Sequence, residues 1–93
     1  MASLSQVAEK IIQEQALVIG PLAWSEAQKV HGLQVAADHH VVLQNGDPKA
    51  VIDRLVAQYE RLFGRASHEV CREAAAGLIK GMPHGEVPQS LLA

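Results

Sequence analysis

Ninety-three residues with 8 Lys plus Arg against 10 Asp plus Glu, a formal charge of -2, exclude two separate cores and give no pull toward nucleic acid or an anionic membrane surface. Hydrophobic residues make up 48 % but aromatic ones only 3 %, so the core has to come from Leu, Val, Ile and Ala on closely approaching helices, a thin margin that a partner subunit often completes. Cys71 is the single cysteine, which excludes an internal disulfide, and neither a leader pattern nor an apolar run of about eighteen residues is present; the expectation is a cytoplasmic protein with no membrane partner.

In chain order, Leu4, Val7, Ala8, Ile11, Ile12 and Leu17 recur at helical spacing. Ser3 with Gln6 three residues later forms a capping box, so helix one is expected from about Leu4 to Val18. In the stretch VIGPLAW, Val18 to Trp24, Gly20 suits the left-handed position past a helix end and Pro21 the first turn of the next helix. Helix two then carries Leu22, Ala23, Ala27 and Val30 and closes at His31-Gly32. Residues 33–46, LQVAADHHVVLQNG, read as an irregular connection: Val41-Val42-Leu43 has strand character without a visible partner, and a single helical turn is expected at Val35 to Asp38.

Asp47 as N-cap and Pro48 in the first turn open helix three, whose face of Ala50, Val51, Leu55, Val56, Tyr59, Leu62 and Phe63 ends before Gly64. Ser67 is expected to cap helix four, with Val70, Cys71, Ala74, Ala75, Leu78 and Ile79 on its face and Gly81, Met82 and Pro83 stopping it. The end, MPHGEVPQSLLA, reads either as a loose tail or as an extended arm over an apolar groove. The fold expected is all-α: a small four-helix bundle over residues 1–83, irregular between helices two and three, with a flexible or partner-packed tail at 84–93.

Reactive residues are present, but their spacing is poor for chemistry. Asp38-His39-His40 is the densest cluster, yet adjacent extended residues point to opposite faces, whereas a closed zinc site needs three or four convergent ligands. His68 and Cys71 share a helix face as a pair, and Cys71 beside Val70 and Ala74 reads as a small core residue before it reads as a nucleophile. The stretch QNGDPK has one glycine, which excludes a phosphate loop, and helix two offers Lys29 alone to a DNA backbone, with Glu26 opposing it. No cofactor and no catalytic residue is expected.

A surface for holding protein is the better expectation. Trp24 lies in the first turn of helix two, where it reads either as a core residue or as an exposed anchor at a subunit interface, tryptophan being enriched among the energetically dominant positions of interfaces. Ile52 and Ala57 widen the stripe of helix three beyond one buried face, which predicts a homodimer through helices three and four. Trp24, Ile52, Tyr59 and Phe63 would form its centre, while Arg61 and Arg65, with Arg72, would rim the contact and set orientation.

The run VIGPLAWSEAQKV, followed by LVAQYERLFGRASHEVCREAA, resembles the small helical modules at the C-terminal ends of some bacterial signalling proteins, including serine/threonine kinases and receiver proteins. Those modules share the Ile-Gly-Pro turn, here Ile19-Gly20-Pro21; the insert bearing His39 and His40 departs from them. The resemblance implies a bacterial regulatory or assembly role, as an oligomerisation module or in contact with a larger signalling protein, without catalytic residues. The alternative expectation is a small metal-binding accessory protein or enzyme using His39, His40, His68 or Cys71.

Overall fold

The computed structural model describes residues 3–44 and 47–92. Three long helices, α1 (Leu4–Ile19), α3 (Pro48–Phe63) and α4 (Arg65–Ile79), are joined by a short one, α2 (Leu22–Ala27). A hairpin of β1 (Leu33–Val35) and β2 (Val41–Leu43) lies between α2 and α3. The chain is therefore mostly helical but not purely α. α1 packs chiefly on α4, α3 also packs on α4, and α2 and the hairpin close against α1.

The helix ends follow from local chemistry. At α1 the Ser3 hydroxyl accepts from the Gln6 amide at 3.2 Å, while the Gln6 side chain accepts from the Ser3 amide at 2.8 Å, satisfying two otherwise unpaired donors. Gly20 ends that helix at φ 75 and ψ -160, a region essentially reserved for glycine, so the chain turns sharply instead of taking the left-handed cap expected. Pro21 occupies the cap position of α2, and α2 is shorter than its apolar spacing predicts. Its last carbonyls are taken by tight three-residue turns, Lys29 amide to Glu26 and Val30 amide to Ala27, so Val30 is still buried without being helical. Asp47 caps α3 as expected, accepting from the Lys49 amide at 3.0 Å.

Two corrections concern connections. Ser67 does not cap α4: Gly64 serves α3 and α4 together, and Ser67 is buried within the first turns of the second helix. The helical turn expected at Val35 to Asp38 is instead the end of β1 and its reversal. Leu33 pairs with Leu43, Gln34 with Val42 and Val35 with Val41 in antiparallel register. The reversal contains no glycine. Asp38 accepts from the His40 amide at 3.0 Å, the Ala36 amide donates to the His40 carbonyl, and His39 takes the positive φ of 68 itself. Gly32, at φ 91, sits where the hairpin crosses α3: a Cβ there would lie 2.8 Å from Val51 Cγ2.

One core runs through all four helices and the hairpin. Ile52 and Tyr59 are both 0 % exposed inside it, so these two residues are packing groups rather than surface ones, whereas Ala57, the other residue that widens the α3 stripe, stays exposed. The segment beyond α4 is ordered against the same core. Single 3-10 turns at His84–Glu86 and Gln89–Leu91, each led by an extended proline, bring Val87, Pro88 and Leu91 into buried positions.

Candidate functional site

The reactive side chains singled out in the sequence go to four different places. Cys71 is fully buried, and Gln15 from α1 donates through Nε2 to both the Ser67 carbonyl at 2.8 Å and Cys71 Sγ at 3.3 Å. Burial pushes the thiol up to about 11, which disfavours the thiolate a nucleophile requires. His68 turns away from Cys71: its Nε2 donates to the Ser90 carbonyl at 2.7 Å, and Nδ1 lies 3.1 Å from Glu60 Oε1. His40 Nδ1 is 3.7 Å from Glu9, whereas His39 stacks on Trp24 with ring centroids 3.9 Å apart and planes 9° from parallel. Among the described residues no three His, Cys, Asp or Glu side chains form a potential metal-ligand group.

Asp53, Ser90, His68 and Glu60 form a continuous polar chain across α3, α4 and the segment after α4. Asp53 Oδ1 accepts from both the Ser90 amide at 3.0 Å and the Ser90 hydroxyl at 2.6 Å, while His68 holds the carbonyl of the same residue. This resembles a serine–histidine–acid array only in composition. The imidazole meets the Ser90 carbonyl and the hydroxyl donates to Asp53, so the histidine is not placed to take the serine proton as it is in such an array. The chain is a fastening for the segment that carries Ser90.

Apolar exposure is concentrated elsewhere, at the corner where α1 gives way to α2. Leu17 is 80 % exposed, Val18 65 % and Leu22 46 %. Beside them Ala16, Gly20, Pro21, Trp24 and His39 line a shallow cleft of about 360 Å³. The Gln15 contact with Ser67 and the hydrogen bond from Tyr59 to the Ala23 carbonyl, 2.7 Å long, place the end of α3 and the start of α4 at this same end of the molecule. Leu62 is 40 % exposed there, Phe63 is half-buried against the core, and Arg61 and Arg65 are exposed.

Of the six interface residues expected, the structure thus brings Trp24, Phe63, Arg61 and Arg65 to one end and withdraws Ile52 and Tyr59 into the core. Leu17, Val18 and Leu22 are the surface residues the sequence reading missed. Their signal was the run Ala16-Leu17-Val18-Ile19, four consecutive apolar residues on a helix that can bury only one stripe. Glu26 borders the corner with Lys29 and Gln58, whose ammonium and amide hold its carboxyl below the usual carboxylate range, and Arg61 adds to the same effect. Comparison with models of known families, with curated proteins and with solved structures finds no match to this chain.

Proposed function

We propose that this chain is a non-catalytic protein–protein interaction module of a bacterial regulatory or assembly system, acting in the cytoplasm. Its contact surface is the α1–α2 corner. The observation that carries this reading is the exposure of Leu17, Val18 and Leu22 at the α1–α2 corner, the same corner whose Ala16, Gly20 and Pro21 line a cleft with Trp24 and His39. Apolar groups gathered in one patch, with a tryptophan at its edge and charges around it, are the composition of a docking surface.

The partner proposed is a second copy. A two-fold contact places the same patch on itself, which needs both charge signs on the rim, and here Glu14 on α1 and Arg61 and Arg65 at the α3–α4 junction provide them. Sedimentation velocity across the micromolar range tests this. A reversible dimer is expected, and Leu17→Ser combined with Val18→Ser should abolish it with the helical circular dichroism unchanged, because both side chains are exposed and carry little folding energy. A wild-type chain that stays monomeric at every concentration overturns self-association.

A further inference from the structure

The segment after α4 makes a kind of contact that the corner does not. It has no helix or strand of its own beyond two single turns, yet Val87, Pro88 and Leu91 are buried on the face shared by α3 and α4. Its polar attachment is confined to a few specific bonds: Lys49 Nζ donates to the Gly85 carbonyl at 2.8 Å, Asp53 takes both donors of Ser90, and His68 takes the Ser90 carbonyl. Those bonds and the three buried side chains read a short pattern, Val87-Pro88-x-Ser90-Leu91, in the way a groove reads an extended peptide. Pro83 and Pro88, at φ -55 and -56 with ψ 141 and 138, hold the segment extended and lower the entropy lost on docking.

Lys80 to Pro83 connect this peptide to α4. The Pro83 carbonyl accepts from the Glu86 amide at 2.9 Å inside the segment's own first turn, and the link is tied back to α4 by the Met82 amide, which donates to the Ile79 carbonyl at 3.0 Å. Straightening the link removes that bond and the partial packing of Met82, but leaves every contact of residues 85–91 available to an identical groove.

We propose that the α3–α4 face is a recognition site for this Val-Pro-x-Ser-Leu segment and accepts the segment of a second copy, so that two chains join by exchanging residues 84–92. Each groove then makes the contacts it makes within one chain, and the balance is set by the link and by concentration. A four-residue tether gives the chain's own segment an effective concentration in the millimolar range, so the wild type is mainly self-filled when dilute and exchanges when concentrated. This association is separate from the corner contact and does not depend on it.

The test uses two full-length variants, Asp53→Arg and Ser90→Asp. Alone, each has a segment that mismatches its own groove, the second by bringing two carboxylates together. When they are mixed, the unaltered segment of the first fits the unaltered Asp53 of the second, and the Ser90→Asp segment meets the Asp53→Arg groove as an opposite-charge pair. A one-to-one dimer is expected, tighter by roughly a hundredfold than the self-association of either variant, and retained when Leu17→Ser is added to both chains. The D53R/S90D chain should recover the unfolding midpoint that each single variant loses. Monomers in the mixture, with recovery in that double variant, overturn exchange. Absence of recovery removes the Asp53–Ser90 contact and the proposal with it, and a dimer dissolved by Leu17→Ser belongs to the corner and also overturns exchange.

Discussion

Tyr59 and Cys71 show how single groups decide the chemistry of this interior. The Tyr59 hydroxyl is buried and donates to the Ala23 carbonyl, so Tyr59→Phe removes that hydrogen bond and is expected to lower stability by about 0.5–1.5 kcal/mol in denaturant titration. Burial raises both acids, the thiol from 9.0 to about 11 and the phenol upward from 10.0. A raised acid is protonated more readily in the folded chain than in the unfolded one. Its contribution is therefore complete below the ordinary value and is lost as pH rises through the folded value. From neutral pH to about pH 9 these two groups should leave the unfolding midpoint flat and then lower it toward pH 11, and Cys71 should resist alkylation until the chain unfolds. Rapid native labelling at neutral pH would contradict the burial assigned to it.

At the level of elements, the glycines separate two kinds of strain. Gly20→Ala meets nothing within 4 Å, so its cost is that of the backbone region alone, about 1–3 kcal/mol. Gly32→Ala carries a positive φ of its own and also drives a methyl group to 2.8 Å from Val51, between the hairpin and α3. It is expected to be the more damaging of the two in thermal melts. The same contrast explains what the sequence could reveal. The starts of α1 and α3 are legible because Ser3, Gln6 and Asp47 act on amides two or three residues away. The hairpin is hidden because its reversal uses Asp38 and a left-handed His39 where Asn-Gly or Gly would have announced it. The α3 face is legible as apolar, but what covers it is not: Tyr59 meets a carbonyl 36 positions away and Asp53 meets Ser90 across 37.

Across the whole molecule the last nine described residues complete the core instead of trailing from it. Leu91 is 4 % exposed, and Leu91→Ala is expected to cost about 2–5 kcal/mol, a large share of the total of about 5–15 kcal/mol for a domain of this kind. A loss below about 0.5 kcal/mol would mean that this segment is not seated in solution. At the α1–α2 corner, Trp24 is the chain's only tryptophan, and its ring lies face to face with the His39 imidazole. Its fluorescence thus has a single origin and a neighbour able to quench it. The emission should brighten when the hairpin lifts from α2 and shift when a protein covers Leu17 and Leu22, so the intact chain carries an intrinsic optical gauge of its own docking surface.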